Sequence, residues 1–235
     1  LPMLRSRGAW LAAGCVCLFQ AGYFTAAQRS GVALGALVTM GTIPLITGFA
    51  GTLLGHRITR TWLVSTLLCA SGLVLLGYEG VSAGQATGVI AAVVAAAAGA
   101  GFTLSVKQLL DAGAPSMPAQ AAVFMLAGVT MAMAAVATGP VTWVGTPRGI
   151  ALVAWLGLFT MALPNILWLK GLGVLSPGIT ATLLIGEPMT ATLLGIAVLH
   201  ETLTLSGVLG LIAVAAGLAA LGVAESNSQR VTHVD

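Results

Sequence analysis

Hydrophobic positions in this chain neither alternate nor keep to one helical face; they fill whole segments. Apolar runs about 20 residues long alternate with short polar breaks, and roughly 20 helical residues cross a bilayer core about 30 Å thick. Eight runs are expected to span, at 8–28, 31–54, 62–78, 85–106, 118–138, 149–169, 177–199 and 206–224. Turn residues separate them: Gln28-Arg29-Ser30-Gly31, His56 to Arg60, Glu79 to Gly84, Asp111 to Pro115, Gly139-Pro140 and Lys170-Gly171. No break has room for a soluble domain. The expected fold is an all-α polytopic membrane protein of eight transmembrane helices.

Composition agrees. Charged residues are 6% of the 235 and apolar ones 58%, whereas soluble domains carry about 25% charge. Nine basic and six acidic side chains cannot keep a soluble surface of this size wet, so lipid is the main partner of the surface. The 31 glycines suit close helix packing, and pairs such as Gly31/Gly35, Gly51/Gly55 and Gly84/Gly88 have the spacing for it. Basic residues are scattered singly, which gives no nucleic-acid patch. Cys15, Cys17 and Cys69 lie within apolar runs and read as small buried residues. No phosphate-binding Gly-x-x-x-x-Gly-Lys-Ser/Thr run, paired histidine ligand set or Ser/His/Asp group is present. An enzyme is not expected, nor a metal or cofactor.

Orientation follows the positive residues. With the N-terminus inside, Arg5, Arg7, Arg57, Arg60, Lys107, Lys170 and Arg230 are cytoplasmic, against Arg29 and Arg148 opposite. Both termini are therefore expected in the cytoplasm, in the inner (plasma) membrane. The first run has a basic start like a signal peptide, but its length and lack of a small-residue exit before Tyr23 make it a retained span. Trp10, Trp62, Trp143 and Trp168 fall near span ends, where indole favours the headgroup region or simply packs. Lys107 and Lys170 are expected to snorkel from cytoplasmic helix ends.

Two stretches share a plan. Pro44 and Pro188 lie 144 residues apart, and at that offset Gly51 meets Gly195 and His56 meets His200. Each proline sits mid-helix, each histidine opens a polar turn, and each turn leads into a Gly-containing span. Five spans separate the two stretches, so they cross the membrane in opposite directions. That is an inverted-topology repeat, an arrangement many secondary transporters share, with a midplane substrate site lined by helices that Gly or Pro interrupts. The interrupted helices here would be those at Pro44, Pro164-Asn165 and Glu187-Pro188.

The segment LLIGEPMTATLLGIAVLHETLTLSGVLGLIAVAAGLAALG resembles the end of an EamA-type repeat of the drug/metabolite transporter superfamily, matching at Glu187, Pro188, Gly195, Glu201 and Gly217. The stretch GYFTAAQRSGVALGALVTMGTIPLITGFAGTLLGHR resembles the corresponding part of the first repeat, but has Ile43 and Arg57 where the family has glutamates. The resemblance implies ten spans in two five-helix repeats. On that plan residues 1–83 are a first repeat of three spans lacking its first two helices, 84–224 a second repeat of five, and 225–235 a cytoplasmic tail. The chain starts at Leu1 rather than Met and reads as a fragment, a mis-called start or a shortened paralogue. Without those two helices the resemblance implies a central cavity open to lipid on one side; the missing N-terminal helices or a homodimer are the expected protein partners.

A carboxylate in hydrocarbon needs a partner or a watery cavity, which makes Glu187 the leading candidate. It either binds a cationic group or a proton in a central cavity, or braces the helix ends around Pro188. Asn165 either satisfies carbonyls freed by Pro164 or touches substrate. Gln20 is a cavity-lining candidate, and Tyr23, Thr42 and Trp168 complete the expected substrate-binding set. Thr39 and Thr42 are expected to bond back within their own helix, and His56 and His200 to be solvated turn residues. The expected activity is alternating-access movement of a small polar metabolite, such as an amino acid or related solute, with export implied by the resemblance. The other reading is a non-transporting fragment or helper subunit.

Overall fold

The computed structural model describes residues 6–77, 85–139, 141–199 and 204–232. His200, Glu201, Pro140 and the whole Glu79–Gly84 break lie outside them. Among the described residues the structure is helical: α1 (Arg7–Ser30), α2 (Val32–Thr52), α3 (Arg60–Gly77), α4 (Ala86–Asp111) and α5 (Ser116–Thr138) come first. A short 3₁₀ turn at Thr142–Gly145 leads to α6 (Pro147–Trp155), a π-helical segment (Leu156–Ala162) and α7 (Leu163–Val174). Then come α8 (Pro177–Leu183), α9 (Gly186–Leu199) and α10 (Leu205–Thr232).

Seven helical stretches among these residues are long and apolar enough to cross a membrane, counting Pro147–Val174 and Pro177–Val198 as one each. The third expected span falls short: α3 has 18 residues, about 27 Å at 1.5 Å per residue. The fourth runs further than expected, to Asp111, and α10 continues to Thr232. Large apolar side chains such as Leu11, Phe24, Ile90, Val129, Leu158 and Leu209 face outward along these helices, the arrangement for a chain whose solvent is hydrocarbon.

Helix starts carry the expected chemistry. Thr146 caps α6 by accepting from Gly149 N at 3.0 Å, with Pro147 following. Ser176 caps α8 by accepting from Ile179 N at 3.3 Å, with Pro177 following. Proline suits the first helical position because its missing N–H has no partner there anyway.

The chain packs into two compact units, with α1 and α4 contributing to both. One unit joins residues up to Cys17 with Phe102–Leu175. Its core sets Ala9, Ala12 and Ala13, three and four residues apart on one face of α1, against Val106, Val123, Ala127, Leu169 and Leu172. Phe102 and Trp168 border it, their rings stacked at 5.2 Å. Lys107 does not snorkel as expected. It is 8% exposed, donates to the Leu172 carbonyl at 3.2 Å and pairs with Asp111 at 3.1 Å. Because α4 extends past Lys107, the ammonium lies inside the unit, where the carbonyls ending α7 receive it.

The second unit joins Leu18–Gly101 with Ser176 onward. Its most extensive pairing is α3 against α10. Gly72 faces Gly210, and further along Cys69 and Ser65 face Gly217, so the two helices run antiparallel. Backbone meets backbone: a Cβ at Gly72 would lie 2.7 Å from the Gly210 carbonyl oxygen. Leu37, Cys69, Leu73, Ile185 and Val214 form the adjoining core. Of the two readings of Trp62, headgroup anchor or packing, its burial favours packing: it is only 4% exposed, because its indole fills the space left by Gly48, where a Cβ would collide with the ring, and lies close against Gly178. Thr39 differs from expectation too, donating across helices to the Ala92 carbonyl at 3.3 Å. Gly31 and Gly55 are not packing glycines: φ is 88° and 85°, in the breaks after α1 and α2.

Candidate functional site

Two of the three expected interruptions are present. At Glu187-Pro188 the span divides into α8 and α9. The cause is local. Proline lacks the N–H that the Leu184 carbonyl would accept four residues on; Glu187 N donates to Leu184 O instead at 3.0 Å, and Ile185 N to Thr182 O at 3.0 Å. These tighter bonds end one helix and start the next. Glu187 then sits exposed in the first turn of α9, midway along Pro177–Val198. Unpaired N–H groups at a helix start favour a negative charge, and Glu187 has no ion-pair partner among the described residues.

The second interruption is the π-helical segment ahead of Pro164. A proline ring clashes with the carbonyl four residues earlier, here Thr160, and winding the preceding turn wider relieves the clash. The Thr160 hydroxyl bonds back to Leu156 O at 2.5 Å. The third interruption is not there: α2 runs continuously through Pro44, which is fully buried.

Asn165 lies just beyond the π segment. Its Nδ2 donates to Met161 O at 2.8 Å, and its Oδ1 accepts from Gln120 Nε2 on α5 at 3.3 Å. Its amide therefore serves a main-chain carbonyl, while the residue also lines a cleft of about 330 Å³ with Gln120, Met117, Phe124, Met161 and Ile166. Trp168, one turn on, stacks on Phe102, whose ring meets that of Phe124 at 6.0 Å.

Asn165 and Trp168 belong to the first unit; Gln20, Tyr23, Thr42 and Glu187 belong to the second. Tyr23 is half-buried and stacks on Phe19 at 5.8 Å. Gln20 and Thr42 are half-buried. No hydrogen bond or ion pair joins these four to one another. His56, with Arg57, Trp62 and Ser176, lines a smaller pocket of about 170 Å³.

Gln120 is the residue that reading the sequence missed. A signal was there: an amide inside an apolar run, at 7% exposure in the fold, is costly in hydrocarbon unless it is paired.

Comparison with known proteins follows the same lines. The EamA-like transporter family matches residues 86–223. The chain is 30% identical over 217 residues to the uncharacterized transporter YwfM of Bacillus subtilis (strain 168), covering 92% of this chain and 73% of that protein. A protein known from a crystal structure shares the fold with a TM-score of 0.79 at 18% identity, covering 98% of this chain and 80% of that one. A family match over more than half the chain and a named transporter along most of its length lead to one conclusion: this is a multi-pass membrane protein that belongs to the EamA-like transporter family.

Proposed function

We propose that the chain moves a small polar metabolite, an amino acid or a related amphipathic solute, outward across the inner membrane by alternating access. The observation that carries this is the break between α8 and α9. It leaves a carboxylate with no ion-pair partner among the described residues at a helix start, halfway through a hydrophobic span. A charge there is costly to keep in hydrocarbon, and interrupted helices of this kind line midplane sites in secondary transporters. Glu187 is the group that takes a cationic end of the solute or a proton.

The inverted repeat is part of the same reading, with residues 1–83 and 84–224 crossing in opposite senses. In its support, α3 and α10, which the repeat makes equivalent, run antiparallel where they pack.

The test is counterflow in proteoliposomes preloaded with a panel of unlabelled metabolites. Accumulation of at least one labelled amino acid or related solute above protein-free vesicles is expected. A chain that inserts and folds yet exchanges nothing on the panel overturns the reading in favour of a helper subunit.

A further inference from the structure

Two amides in the first unit fix each other's orientation. The Met161 carbonyl can only accept, so Asn165 must turn its NH₂ toward Met161 and its oxygen toward Gln120. Gln120 must then give its NH₂ to Asn165, which leaves Gln120 Oε1 over. That oxygen is buried and has no hydrogen-bond partner, on a side chain 7% exposed. An orphaned buried acceptor is rare and calls for an explanation.

Beside it lies the cleft of about 330 Å³, at the lower end of the range for small-molecule sites. Met117, Phe124, Met161 and Ile166 wall it with polarizable and aromatic surface. Among the described residues no charged one lines it, so a ligand's full charge would find no counter-ion among them. The wide π turn supplies part of the wall, including Gly157, at which an added Cβ would meet nothing within 4 Å.

We infer that this cleft binds the uncharged, hydrogen-donating end of an amphipathic small molecule, its apolar body against Phe124 and the methionines and its N–H or O–H on Gln120 Oε1. A lipid acyl chain could fill the walls but offers no donor. That the bound molecule is also cargo rests on the transport reading; the binding itself does not.

The test uses the chain in nanodiscs and equilibrium dialysis with radiolabelled 2-phenylacetamide and its N,N-dimethyl derivative, which keeps the body and removes the donor. Phenylacetamide is expected to bind saturably and at least about tenfold more tightly than the dimethyl compound. Gln120→Met alone would free Asn165 Oδ1, an acceptor on the same cleft, so the deciding variant is Gln120→Met with Asn165→Leu, in which the two compounds should bind within about twofold of each other. Gly157→Leu, which fills the cleft and leaves Gln120 intact, should lose phenylacetamide binding. Equal affinities in the parent chain, a preference that survives the double variant, or no saturable binding overturns the site. Should the double variant not fold, Gly157→Leu decides: retained binding overturns the site, and loss supports it. A chain that passes here but exchanges no solute in vesicles keeps this site and loses the transport reading. One that transports but fails here loses the site alone.

Discussion

Gly72 and Gly210 stand back to back: a Cβ on the first would lie 2.7 Å from the carbonyl oxygen of the second, and one on the second 2.6 Å from that of the first. Between lipid-bathed helices there is no hydrophobic drive to associate, so contact this close is what holds α3 to α10.

Gly72→Ala and Gly210→Ala are therefore each expected to destabilise the purified protein by about 1–3 kcal/mol, as overpacking does. The double variant should lose less than the sum, because the first methyl has already parted the helices. Thermal unfolding in detergent, followed by size-exclusion profile, checks both. Gly14→Ala, where an added Cβ meets nothing within 4 Å, is the control and should leave the profile unchanged.

Lys107→Met removes the donor to Leu172 O and the partner of Asp111. The expected cost is about 1–3 kcal/mol, the range for orphaning a buried polar group. Lys107→Arg should cost less, and Asp111→Asn at most about 1 kcal/mol, since that carboxylate is 52% exposed. The same unfolding assay ranks the three.

Glu187→Gln is expected to insert and fold normally and to lose exchange in the counterflow assay. A variant that fails to reach the membrane, or unfolds at markedly lower temperature, assigns the carboxylate to bracing the α8–α9 break instead. Pro188→Ala separates the two further. It returns an N–H to the Leu184 carbonyl and should straighten the span, which spin-label distances across residues 180 and 192 would register.

Cysteines placed at His56 and His200, with the three natural cysteines changed to alanine, report topology. A membrane-impermeant thiol reagent is expected to reach them from opposite sides. Labelling of both from one side removes the inverted repeat.

Seven of the eight expected spans and the break at Glu187-Pro188 were legible because both depend on local chemistry, namely uninterrupted apolar length and a proline without its N–H. Asn165 was legible for the same reason. What stayed hidden depends on which faces meet. In a chain with 31 glycines, spacing pointed to Gly35 and Gly88, which do pack closely against Ala26 and Ser30, but also to Gly31 and Gly55, which lie in breaks, and it passed over Gly72 and Gly210, which meet each other from far along the chain. Pro44 looked like a break, yet α2 passes through it intact. Lys107 looked like a boundary residue from its position in the sequence, and Trp62 could have been one or a packed ring. Only the neighbours that receive them, Leu172 for one and the bare Gly48 and Gly178 for the other, make them interior.

The separation of 65 positions between Lys107 and Leu172 also sets an order of events during synthesis. A ribosome delivers the ammonium to the bilayer well before it has made the carbonyl that will receive it. Asp111, one helical turn behind, emerges with the lysine as its travelling countercharge. The pair with Asp111 is thus local to α4 and available as soon as that helix forms, whereas the bond to Leu172 can close only once α7 is in place.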